Sequence, residues 1–184
     1  MGSFSGPSRT TTYNGITGFD TRTIYSVGTT ATVGNTVTET TLIGPGTGTL
    51  TIPANYLAVG TIIKIYTTGT IGTDVTPPLI TLKAYFGGTV VSNVANTPPS
   101  QVAAGTVYEY TTTYVVTAIG ASGSVICSQI MWLNSIAISA FTATPGATTI
   151  NTTVASALDI KITWGTAAAL NTVSSISCYV ELIG

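Results

Sequence analysis

The sequence predicts an all-β protein built as an antiparallel β-sandwich, and three observations predict it. Apolar residues recur at every second position through most of the chain, the spacing of strands with one face in a core. Clusters of Gly and Pro cut these runs at short intervals, as turns do. Thr and Val fill the runs between, and branching at Cβ suits a pleated backbone while penalising a helix. No stretch sustains helical spacing; residues 53–57 could form a single turn.

Residues 1–35 stand apart from this pattern. They are rich in Gly, Ser and Thr, alternate poorly, and hold only isolated apolar residues such as Phe4, Tyr13, Ile24 and Tyr25. They read as an arm for attachment or for packing on a neighbouring subunit, since a second domain would need a core of its own. The sandwich domain is expected over 36–184, with strands at 36–43, 48–52, 60–71, 80–86, 88–94, 107–119, 123–133, 157–165 and 175–183.

Pro53 cannot donate to a ladder and ends the strand before it. Asn55 can bond its local backbone and cap the turn that follows. Gly87-Gly88 signals a two-residue hairpin, because both glycines tolerate positive φ. In 157–165, Leu158, Ile160, Ile162 and Trp164 alternate with Asp159, Lys161 and Thr163. In 175–183, Ile176, Cys178, Val180 and Leu182 form the expected core face. Trp132, sharing a face with Ile126 and Ile130, is expected in the core as well.

Composition narrows the function. The chain has no His and only five basic and six acidic residues in 184, giving 6% charged against about 25% in an average globular protein. A net charge of −1 leaves no footprint for nucleic acid or an anionic membrane surface. The carboxylates Asp20, Glu39, Asp74, Glu109, Asp159 and Glu181 are scattered singly. A Ser nucleophile would lack its His base, no Asp-x-Asp-x-Asp run offers calcium its six to eight oxygens, and the Gly-rich run at 44–48 lacks the Lys-Ser/Thr of a phosphate loop. No enzyme, cofactor or metal is therefore expected.

Arg9 is not followed by an apolar segment, so no signal peptide is expected. No run reaches the roughly 18 apolar residues of a transmembrane helix; the most apolar stretch, 125–141, reads as a buried strand pair. Cys127 and Cys178 read as two buried, reduced thiols acting as small hydrophobes.

The most specific block is Thr41-Leu-Ile-Gly-Pro-Gly-Thr-Gly-Thr-Leu-Thr-Ile-Pro-Ala-Asn-Tyr-Leu-Ala-Val-Gly-Thr-Ile-Ile-Lys-Ile. It resembles a block of jelly-roll proteins of tailed phages and large DNA viruses, in which a strand ends in "TIPAN" and a "VG…I.I" strand follows. The segment Pro78-Leu-Ile-Thr-Leu-Lys-Ala-Tyr-Phe-Gly-Gly-Thr-Val is similar to the same proteins' "LTLK…GGT" hairpin. A third block runs from Asn151-Thr-Thr-Val-Ala-Ser-Ala-Leu-Asp-Ile through Trp164 to the last strand. The resemblance covers about 36–184. It implies a jelly-roll virion structural protein, of the capsid-decoration or fibre-head type, forming a compact homotrimer. It further implies a virion location after synthesis in the host cytoplasm, other virion proteins as partners, and a host surface glycan or receptor as a target.

Four residues are candidates for an interface or ligand platform. Tyr108, Tyr110 and Tyr114 share one strand face; they read either as a packed core or subunit face, which the ring and its hydroxyl suit, or as a sugar-stacking platform. Lys161, like Lys64 and Lys83, lies opposite an apolar face, where a solvated position or pairing with Asp159 or Glu109 in an oligomer is expected. A carbohydrate-binding module using exposed aromatics is the alternative function. The loops at 70–78, 95–105 and 140–149, the longest and least patterned, are the expected binding loops.

Overall fold

The computed structural model describes residues 11–13, 16–18, 21–44, 46–98, 100–133 and 146–184. Among the described residues fifteen strands follow one another: β1 (Thr11–Tyr13), β2 (Ile16–Gly18), β3 (Thr21–Val27), β4 (Ala31–Gly34), β5 (Thr40–Thr41), β6 (Thr47–Gly48), β7 (Thr51–Ile52), β8 (Ile62–Gly72), β9 (Ile80–Phe86), β10 (Thr89–Asn96), β11 (Thr106–Ala118), β12 (Gly123–Leu133), β13 (Ala147–Ile150), β14 (Ser156–Trp164) and β15 (Thr172–Ile183). β1 and β2 pair as a hairpin. The large sheet has the order β13-β12-β11-β8-β15-β3-β6, with β4 also on β15. The small sheet has the order β10-β9-β14-β5, with β7 also on β14. All pairings are antiparallel, so the all-β expectation and its two-sheet form hold.

Alternation builds the core. Ile63 and Ile65 of β8, Leu82 and Phe86 of β9, Ile160 and Trp164 of β14, and Val180 of β15 all point between the sheets and are buried together. The Tyr114 hydroxyl of β11 donates to the Tyr85 carbonyl of β9 at 3.4 Å, tying one sheet to the other. The β9–β10 hairpin turns at Gly87 and Gly88, with φ of 57° and 83°, the positive values that hairpin signal required.

Four expectations are corrected. The arm expected over 1–35 does not run to 35: β3 lies along β15 from Cys178↔Val27 to Ile183↔Thr21, and Ile24, Tyr25, Val27 and Val33 join the core. The strand expected at 36–43 shrinks to two residues. Its threonines bond the local backbone instead of a ladder: the Thr38 amide donates to Thr36 Oγ1 at 3.0 Å and the Ile43 amide to Thr41 Oγ1 at 3.2 Å. Ile176 is 45% exposed, not in the core with Cys178. The ladder to β8 slips between Ser175 and Ser177, and the extra residue of that bulge flips Ile176 outward. Trp132 is 47% exposed. Tyr108, Tyr110 and Tyr114 oppose Leu133, Met131 and Cys127, so those three take the inner side of β12 and Trp132 the outer. Residues 134–141 of the apolar stretch lie outside the described residues.

Candidate functional site: two outer sheet faces

The three tyrosines lie inside the sandwich. Tyr108, Tyr110 and Tyr114 are fully buried, so of the two readings open for them the packed core holds, and neither a subunit face nor a sugar-stacking platform lies there. Two of the three hydroxyls bond within that core: Tyr110 donates to Gln129 Oε1, and Tyr114 reaches the small sheet. Burial raises the pKa of all three phenols. Both thiols are free and buried, as expected. Burial pushes the Cys127 thiol up to about 12 and raises that of Cys178, which holds both as neutral, unreactive thiols.

Lys161 sits on the outer face of the small sheet in a compact polar network. Lys83 and Lys161 oppose each other across β9 and β14, an arrangement that repels. Glu39, from the segment before β5, resolves the repulsion. It binds Lys83 Nζ at 2.6 Å and lies 3.9 Å from Lys161 Nζ, and the three side chains are 27–34% exposed. The Tyr85 hydroxyl also donates to Glu39, at 2.5 Å, and Lys161 stands 4.6 Å over the Tyr85 ring. Thr41 Oγ1 donates to Asp159 Oδ1 at 2.6 Å. Within the chain, the partner of Lys161 is thus Glu39.

Hydrogen bonds from Lys83 and Tyr85 hold the Glu39 carboxyl below the usual carboxylate range. The bond to Glu39, with burial, pushes the Tyr85 phenol up to about 12. Glu39→Gln is expected to cost about 1 kcal/mol at neutral pH, roughly 2–4 °C in Tm for a chain of this size. A depressed carboxyl stabilises the fold above its unfolded pKa of about 4.3, and that gain vanishes as pH falls through the folded value. Melting curves of the two proteins should therefore converge in acid; an equal difference at pH 7 and pH 2 would contradict the network.

The outer face of the large sheet is different in kind. Register across β12, β11, β8 and β15 lays its side chains in rows. One row is Ile126–Val115–Ile62–Ile183, wholly aliphatic. Another is Ile130–Thr111–Tyr66–Tyr179, in which the two tyrosine rings stack with centroids 5.1 Å apart. Between them runs Ser128–Thr113–Lys64–Glu181, and beyond the tyrosines Trp132–Glu109–Thr68–Ser177. Burial, with Glu109 beside it, raises the pKa of the Tyr66 phenol. Lys64 and Glu181 are direct cross-strand neighbours, yet neither closes an ion pair among the described residues. Reading the sequence missed this face. The signal was present in β12, where both alternating sets, Val125-Cys127-Met131 and Ile126-Ile130-Trp132, are largely apolar.

Two of the expected binding loops meet at one end. The Thr73 amide donates to the Val102 carbonyl and the Val102 amide to Thr73 Oγ1, both at 2.9 Å. Residues 70–72 belong to β8, and of the third loop, 140–145 lie outside the described residues while 147–150 form β13. Among the described residues, no three His, Cys, Asp or Glu side chains converge.

Fold and surfaces together define an all-β protein of two packed antiparallel sheets, with neutralised charges on one outer face and half-buried apolar rows on the other. No known protein family and no curated protein matches the sequence. Among solved structures, the chain is similar to the CBM2 module of the evolved Dit protein of Lactobacillus casei BL23 phage J-1, at 12% identity and a TM-score of 0.40, covering 90% of this chain and 97% of that one. It is also similar to an alginate lyase from Klebsiella pneumoniae, at 10% identity and a TM-score of 0.23, covering 65% of this chain and 57% of that one. At such values neither likeness assigns a ligand or an activity.

Proposed function

We propose that this chain is a non-enzymatic structural protein of a virion, of the capsid-decoration or fibre-head type, working as a homotrimer of jelly rolls. The observation that carries the reading is the contrast between the outer faces. A sandwich that works alone in water alternates apolar-in and polar-out on both sheets. The small sheet does so, but the large sheet carries aliphatic and aromatic rows outward as well. Such a face serves contact, not proton transfer.

Two features support the reading. The chain passes repeatedly from sheet to sheet, from β8 to β9, β10 to β11, β13 to β14 and β14 to β15, as a jelly roll does. The "TIPAN" block folds as the end of β7, with Pro53 closing it, and the "LTLK…GGT" block as the β9–β10 hairpin. The resemblance to virion proteins thus rests on segments that shape the sandwich.

Light scattering after size exclusion tests it. Three chains of 18.7 kDa are expected in the particle, unchanged in high salt because apolar contacts are not screened. A monomer would remove the trimer and favour the second reading, a carbohydrate-binding module. The observation that favours this alternative is Trp132, half exposed and directly opposite Glu109, a ring beside a hydrogen-bonding carboxylate.

A further inference from the structure

We infer that the outer face of the large sheet, across β12, β11, β8 and β15, is the surface by which one copy of this chain binds another. The inference rests on the homotrimer reading and names its interface.

Size is the first argument. Four strands about 4.8 Å apart, with four rows about 6.8 Å apart along them, make a patch of about 500 Å² in flat projection. Side chains corrugate that patch, bringing its accessible area toward the ~800 Å² per partner of a standard interface. The composition is also that of an interface core: aliphatic and aromatic side chains with hydroxyls, and charges kept to Lys64, Glu181 and Glu109.

Charge is the second. Lys64 and Glu181 sit side by side in the row between the two apolar ones, and among the described residues neither has an opposite charge within ion-pair distance. The opposite outer face spends its lysines on Glu39 inside the chain. A row holding one cation and one anion, both without an ion pair among the described residues, between apolar rows complements its own copy, since each Lys64 finds a Glu181 on the neighbour. A glycan would leave the aliphatic row Ile126–Val115–Ile62–Ile183 facing water; a second copy covers it.

Thr111 lies near the middle of the patch, between Ile130 and Tyr66, and its side chain points out of the sandwich. Thr111→Arg should lower the solution mass from three chains to one while the circular dichroism stays that of the wild type. Thr163→Arg, on the outer face of the small sheet, should leave the mass unchanged. Lys64→Glu is expected to weaken assembly at least tenfold, and the exchange Lys64→Glu with Glu181→Lys to restore it; this pair decides if Thr111→Arg fails to fold. A wild-type trimer that keeps its mass in both Thr111→Arg and Lys64→Glu overturns the interface and leaves the trimer standing. A wild-type monomer overturns both, and one that binds immobilised glycans through Trp132 replaces them with the alternative.

Discussion

Alkali is expected to unfold this protein well before acid does. Cys127 is the anchor of the argument: burial pushes its thiol up to about 12, against about 8.5 for a thiol in an unfolded chain. Cys178, Tyr108, Tyr110 and Tyr114 are raised by burial as well. A group whose folded pKa is raised contributes its full stability below the unfolded pKa and loses it as pH climbs toward the folded one. The unfolded chain releases these protons first, and each group then costs about 1.4 kcal/mol per pH unit. Cys127 alone costs ~3 kcal/mol by about pH 11, and the phenols join above about pH 10. Against a total of about 5–15 kcal/mol, five such groups suffice to unfold the chain between about pH 10 and 12.

On the acid side no His must charge, and among the described residues Glu39 alone is clearly lowered. Circular dichroism followed from pH 7 upward and downward checks this. Cys127→Ala should flatten the alkaline limb relative to its own value at pH 7. A fold as stable at pH 12 as at pH 7 would show that these groups are not sealed from water.

The legible parts of this fold were those where one alternating set is apolar and the other polar. In β9 and β14 the phase was unambiguous, since Lys83, Asp159 and Lys161 could only face out. Where both sets are apolar, as in β12, period alone gives two equal answers, and only pairing with the tyrosines of β11 selects one. A bulge is invisible to periodicity for a related reason: the residues around Ile176 alternate well until one extra residue is counted. Short strands such as β3 and β4 were hidden because their hold comes from β15, about 150 residues away in the chain. The site suffered most. Charge pointed to Lys161, but its partner Glu39 comes from a remote segment, and the apolar outer face emerges only when four strands are laid in register.

Trp164→Ala is the substitution expected to cost the folded chain most, about 3–5 kcal/mol and roughly 10 °C in Tm. Trp164 is the largest fully buried side chain; it ends the core face of β14 and pairs in register with Ile80 of β9. Removing the indole leaves a cavity between two sheets whose ladders hold the walls apart, so the space closes poorly. Leu79, one residue before Ile80, is 47% exposed, and Leu79→Ala should stay within about 0.5 kcal/mol. The two substitutions differ by a single step in phase, so thermal melts of both measure whether β9 and β14 are set in the register described. Comparable losses in the two variants would mean that Leu79 and Trp164 share the core, and that the small sheet is out of register by one residue.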